Sequence, residues 1–180
     1  NSLDLRKYPT LKHNSEKSGI KFFFMGTPNQ PWHGVDIIEN LALQLPHYQF
    51  HLVGIEGKNT KNIFYHGYQN QAQYLDVLSG CDICIGSLAM FRNKLTEASP
   101  LKVREYLAYG YPTIIGYNDT AFIEGGAPNW LFKYDETINL KELCEFANLN
   151  KNLTVKHSEL ESISSYYVET KRIKFMNDCF

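Results

Sequence analysis

At 180 residues, 43% hydrophobic and 14% aromatic, the chain has the apolar content for one good core. Its 18 Lys plus Arg against 19 Asp plus Glu leave a net charge of −1, which excludes a basic field for nucleic acid or an anionic membrane. The longest apolar runs, such as residues 20–26, fall far short of a membrane span, and no stretch reads as a signal peptide.

The chain opens on Asn1-Ser2-Leu3-Asp4 rather than methionine, as a piece of something longer would. Residues 20–26 form a continuous apolar run, which suits a strand of a parallel sheet covered on both faces. A helix over 35–45 follows, with Ile37, Ile38, Leu41, Ala42 and Leu45 on one stripe and Asp36 and Glu39 near its positive end. Strands are expected at 48–54 and 62–66, a helix at 71–78, a strand at 81–86, a helix at 100–109 and a strand at 112–117. A last strand at 130–134 and a helix at 140–148 packed behind it complete a domain over 19–157. This alternation predicts an α/β fold: a Rossmann-like, doubly wound, mainly parallel six-stranded sheet with helices on both faces. Residues 158–180 read as one long helix whose stripe of Leu160, Ile163, Tyr167, Ile173, Met176 and Phe180 exceeds what the domain needs. That stripe is expected to be partly exposed or paired with a second copy of the chain.

Cys81 and Cys84 form a C-x-x-C, but on a buried strand residues three apart point to opposite faces, roughly 10 Å apart. That is beyond disulfide reach, so the pair reads as free, buried thiols of a reducing compartment. No D-x-D triplet, no metal-spaced His/Cys/carboxylate cluster and no Gly-x-Ser-x-Gly occurs.

The helix over 100–109 carries the chemistry. Ser99 reads as its N-cap, Pro100 as its first residue, and Gly110 with Pro112 as its stop. Its first turn, including Leu101, would offer unpaired N–H groups and the positive end of the dipole, a seat for a diphosphate. Glu105 lies about 7 Å further along, where a ribose would hang, and a carboxylate suits vicinal hydroxyls because both oxygens accept. Glu97, on the loop before the cap, would lie on the other side of the phosphates. Plainer readings stand beside these: Glu105 as a surface carboxylate near Lys102 or Arg104, and Glu97 as a solvated loop residue.

The spacing Glu97-x7-Glu105, the phrase Ser-Pro-Leu-Lys-x-x-Glu-Tyr-Leu-Ala-x-Gly-x-Pro over 99–112 and the run Pro31-Trp32-His33-Gly34-Val35-Asp36 resemble the retaining, two-domain GT-B glycosyltransferases. The likeness is to their large family 4, which builds polysaccharides, lipopolysaccharides and glycolipids. It covers nearly the whole chain, as the C-terminal, donor-binding half of such an enzyme. Asn1-Ser2-Leu3-Asp4 looks like the Asn-x-hydrophobic-Asp phrase with which these chains leave the N-terminal domain, so the resemblance implies that residues 1–18 are an interdomain linker. The C-terminal helix of such enzymes crosses back to that domain.

The resemblance implies a nucleotide-diphosphate sugar (a UDP- or GDP-sugar) as donor and no cofactor or metal. It implies an acceptor glycan or lipid-linked sugar held by an N-terminal domain absent from this chain. Glu97 would be the catalytic carboxylate and Glu105 the ribose holder, with Ser99, Pro100, Leu101 and Lys102 at the diphosphate. Gly26 and Gly34 would flank the ligand. His33 would stand where relatives carry a phosphate-gripping lysine; Lys102, Arg104, Arg92 or Lys94 are the other sources of positive charge. Tyr68, after the third strand, is placed to stack on the base or to pack as a surface aromatic. A cytoplasmic enzyme is expected, its full-length form open to a peripheral seat on the inner face of the cell membrane. Two other readings remain: a non-catalytic nucleotide-binding or assembly module, and a GT-B nucleotide-sugar epimerase.

Overall fold

The computed structural model describes residues 1–11, 19–123, 126–135, 137 and 139–179. Residues 12–18 of the expected linker and Phe180 of the expected C-terminal stripe lie outside the described residues. The elements are β1 (Lys21–Met25), α1 (Val35–Gln44), β2 (Gln49–Val53), β3 (Ile63–Gly67), α2 (Gln71–Ser79), β4 (Ile83–Ile85), β5 (Glu97–Ala98), α3 (Leu101–Ala108), β6 (Thr113–Ile115), β7 (Asn118–Asp119), β8 (Leu131–Lys133), α4 (Leu140–Asn150) and α5 (Ser165–Asp178). Six strands form one sheet in the order β3-β2-β1-β4-β6-β8, every neighbouring pair parallel. This is the doubly wound α/β sheet that the alternation of elements predicts.

Successive side chains of β1 show why both faces must be covered. Phe22 and Phe24 enter one core with Ile38 and Leu41 of α1 and Leu143 and Phe146 of α4. Phe23 enters the other, with Leu78 of α2, Val103, Tyr106 and Leu107 of α3, and Leu160 and Ile163. Phe22, Phe23 and Phe24 are all essentially inaccessible to solvent. Cys81 and Cys84 are free and buried in the second core, with Cys81 before β4 rather than on it.

The C-terminal segment departs from the single long helix expected. Two 3-10 turns, His157–Glu159 and Glu161–Ile163, precede α5, which opens at Ser165 with the Ser164 side chain accepting from the Tyr167 amide. The break has a packing cause: Leu160 and Ile163 are drawn into the core, and Leu3 and Ser164 form a bridge there. The stripe therefore divides, with Leu160 and Ile163 buried and Ile173 and Met176 exposed alongside Tyr166 and Phe175.

Residues 1–11 lie on the domain: Leu3 is buried and the Leu11 amide donates to the Tyr109 carbonyl at 3.0 Å.

Arg104 of α3 and Asp119 of β7 are both buried and joined by two bonds, at 2.7 Å from Nη1 and 2.6 Å from Nη2. Removing one partner of such a pair strands the other charge in the core. Asp119→Ala should therefore destabilise the fold by about 3–5 kcal/mol. Urea denaturation checks this, and the double change Arg104→Met with Asp119→Leu should recover much of the loss.

Candidate functional site

The sheet reverses its winding at β1, which pairs with β2 on one side and β4 on the other. The loops leaving β1 and β4 consequently part to opposite faces, and ligands of open α/β sheets bind at that crevice. Here the two loops are tied together: the Leu88 amide donates to the His33 carbonyl and the Ala89 amide to the Trp32 carbonyl, both at 3.1 Å. Gly34 closes the 31–33 turn at φ 71° and opens α1, a conformation that a side chain would strain, and Leu88 Cβ lies 3.1 Å from where its Cβ would stand. At Gly26 the space of a Cβ is taken by the His33 ring and the Phe24 ring, each 2.8 Å away. The bare backbone there makes room for these two protein rings.

α3 meets the end of β1 through two residues four apart on one face. Tyr106 Oη accepts from the Met25 amide at 2.8 Å, and Lys102 Nζ donates to the Met25 carbonyl at 3.3 Å. Lys102 Nζ also lies 3.3 Å from His33 Nδ1 and 4.2 Å from the centroid of the Phe24 ring. Among the described residues, no carboxylate lies within ion-pair distance of Lys102. Burial pushes its ammonium down to about 7.

The sequence leaves four basic residues as the possible source of positive charge, and the structure separates them. Arg104 is spent on Asp119. Arg92 is held in a fork by Asp36, at 2.8 and 2.7 Å, and also donates to the Pro31 carbonyl. Lys94 sits on an exposed loop at φ 57°. Lys102 is the one that reaches the end of β1, at the switch point.

His33 is buried, with both ring nitrogens near protein groups: Nε2 accepts from the Thr27 amide at 3.3 Å, and Nδ1 lies 3.3 Å from Ser87 Oγ. Burial, then the neighbouring Lys102, push its pKa down to about 4, so the ring is neutral at physiological pH.

The start of α3 differs from the sequence expectation. Pro100 is the cap, extended at φ −67°, ψ 137°, and it receives no side-chain bond. Ser99 does not cap, because its hydroxyl accepts from Arg104 Nη2 at 2.8 Å. The Val103 and Arg104 amides donate to the Pro100 carbonyl, which leaves the Leu101 and Lys102 amides without intrahelical acceptors.

Glu105 is half-buried, and burial raises its pKa; Tyr8 Oη donates to Oε1 at 3.4 Å. Tyr8 packs edge-on against Tyr109 at 5.2 Å, so tyrosines wall this end of the site. Glu97 lies on β5, a two-residue strand paired to β7 rather than a free loop, and it is exposed. The Arg104–Asp119 pair fixes β7 and hence Glu97 relative to α3. Tyr68 is 88% exposed just beyond β3. A groove of about 530 Å³, lined by Thr27, Gln30, Asp36, Glu56 and Arg92 among others, opens beside the β1 loop.

Two residues of this arrangement carry no motif. Ser87 could have been found only as the residue following a strand at the switch point, and Asp119 only by its burial. No group of three metal-ligating side chains is assembled among the described residues, and no helix there is long and apolar enough to cross a membrane.

No protein-family model and no curated protein matches the sequence. Solved structures do. The chain resembles the apo lipopolysaccharide outer core galactosyltransferase WaaB (TM-score 0.63, 12% identity, covering 98% of this chain and 54% of that one). It resembles Anabaena HepE in complex with UDP-glucose (TM-score 0.62, 12% identity, 99% and 56%). A third is AviGT4, a glycosyltransferase involved in avilamycin A biosynthesis (TM-score 0.58, 13% identity, 95% and 56%). The chain thus spans about half the length of these structures. At such identities the likeness is one of fold: this chain shares the Rossmann-like α/β architecture of GT-B glycosyltransferases.

Proposed function

We propose that this chain is the donor-binding half of a retaining glycosyltransferase, of the family 4 type, and takes a UDP- or GDP-sugar. The observation that carries the reading is Lys102, a lysine with no carboxylate within ion-pair distance among the described residues, at the opening of a helix that meets the sheet's switch point. When protonated, a lysine in that position is matched by an anion. The Leu101 and Lys102 amides add two donors and the positive end of the α3 dipole, which is how a diphosphate is commonly seated. Glu105, one turn further along, takes the ribose hydroxyls in place of Tyr8. Glu97 orients hydroxyls of the donor sugar and favours the cationic character that develops at the anomeric carbon. As the glycosidic bond to the diphosphate breaks, Lys102 and the helix start stabilise charge on the leaving oxygen.

In this reading His33 holds the loop and the lysine in place, a narrower role than gripping phosphate itself, because both of its nitrogens face protein groups. Gly26 and Gly34 allow that packing, Ser99 and Pro100 shape the helix start, and Tyr68 offers its exposed ring to the base. The acceptor, a glycan or lipid-linked sugar, and further catalytic groups belong to an N-terminal domain. The exposed residues of α5 would cover part of that domain or a second copy. By itself the chain should bind nucleotide and transfer nothing. Free thiols at Cys81 and Cys84 suit a cytoplasmic enzyme.

Isothermal titration with UDP, uridine and pyrophosphate tests the assignment. Hydrogen bonds to a charged group contribute about 1.5–3 kcal/mol, so Glu105→Ala should weaken UDP by about 10–100-fold and leave pyrophosphate unaffected. UDP binding that ignores this change would remove the ribose assignment. Lys102→Met should instead erase most of the advantage of UDP over uridine, and an unchanged advantage would move the diphosphate elsewhere.

A further inference from the structure

The surroundings of Lys102 constrain its protonation as well as its position. His33 Nε2 lies 3.3 Å from the Thr27 amide nitrogen, which has only a proton to offer. Nε2 must therefore present its lone pair, and the proton of the neutral ring sits on Nδ1. That Nδ1–H edge meets both Ser87 Oγ and Lys102 Nζ, each at 3.3 Å. An ammonium at Nζ would face an N–H donor, whereas an amine could accept from it. The Met25 carbonyl and the Phe24 ring are the groups there that favour a cation.

The charged groups of the adjoining elements are otherwise engaged. On α3 itself, Arg104 is paired with Asp119, Glu105 accepts from Tyr8, and Tyr106 Oη is bonded to Met25. Around the β1 loop, Asp36 and Arg92 are paired with each other. On β1, Phe24 and Met25 do not titrate, and neither does Ser87 after β4. His33 is the titratable group that meets Lys102 directly.

We propose that diphosphate binding is coupled to protonation of Lys102: the empty site holds an amine against the His33 Nδ1–H, and the bound site holds an ammonium facing phosphate. One proton is taken from the solvent buffer for each ligand bound, and His33 stays neutral throughout. This rests on the assignment of the diphosphate to the start of α3. It is supported by burial, which brings Lys102 to about 7 and His33 to about 4. The sign follows: the ligand favours the protonated lysine, so affinity is full below pH ~7 and falls about tenfold per pH unit above it, until the lysine of the complex itself titrates.

Titration of the full-length protein with UDP at pH 8, in Tricine and in Tris, reads the coupling directly, because the two buffers differ in ionisation enthalpy. The last proton of the terminal phosphate leaves near pH 6, so UDP itself releases none. Uptake of roughly 0.9 proton per UDP is expected for a lysine titrating at about 7. Lys102→Arg should bring that count to about zero, because an arginine does not deprotonate, and make the remaining affinity independent of pH between 7 and 9. If the arginine cannot be seated, the wild-type count decides alone. UDP bound with no proton exchanged would overturn the coupling and leave the diphosphate assignment standing. Uptake that persists in Lys102→Arg would overturn it too, and a protein that binds no UDP would bring down both.

Discussion

The charge pair between Arg104 and Asp119 is the constraint on which the site's geometry depends. Both side chains are 1% exposed or less, and the arginine fork also reaches Ser99. Three pieces of chain that are not neighbours in the main sheet are thereby fixed to one another: α3, the β5–β7 pair that carries Glu97, and the 99–100 approach to the helix. Desolvating two charges is expensive, and the pair recovers that cost only through bidentate geometry and its extra hydrogen bonds. The fork's bonds to Asp119 and Ser99 tie α3 to β7 and to its own approach segment.

With α3 so fixed, its short length does several jobs through helical spacing. Lys102 and Tyr106, four apart, reach the end of β1, and Arg104 turns inward to Asp119. Glu105 meets Tyr8 from the N-terminal segment. Eight residues thus bring together the switch point of the sheet, a free pair of amides and a carboxylate. His33 adds the link to β4 through Ser87, and Gly26 gives its ring room. In the proposed function diphosphate and ribose would meet successive turns of this one element, and the sugar would meet Glu97 on β5.

Much of this is legible in the sequence, because it rests on local signals. The runs of apolar residues fix the six strands, and the Ser-Pro-Leu-Lys phrase with Gly110 and Pro112 bounds α3 to within a residue or two. What sequence reasoning misses depends on contacts distant in the chain. Ser99 has the chemistry of a cap but is diverted by Arg104. Arg104 reads as a possible source of positive charge for the diphosphate until Asp119 is placed beside it, fifteen residues on. The C-terminal stripe carries a helical period, yet the pull of the core on Leu160 and Ile163 breaks it into turns before α5. The resemblance puts His33 in the place of a phosphate-gripping lysine, and only the folded loop shows its nitrogens turned to Thr27, Ser87 and Lys102.

The most direct test is the structure of the protein with UDP bound. The account predicts a phosphate oxygen within about 3 Å of Lys102 Nζ and of the Leu101 or Lys102 amide, with the ribose hydroxyls on Glu105 and Tyr8 displaced from it. A diphosphate bound elsewhere, with Lys102 still on the Met25 carbonyl and Glu105 still on Tyr8, would contradict it.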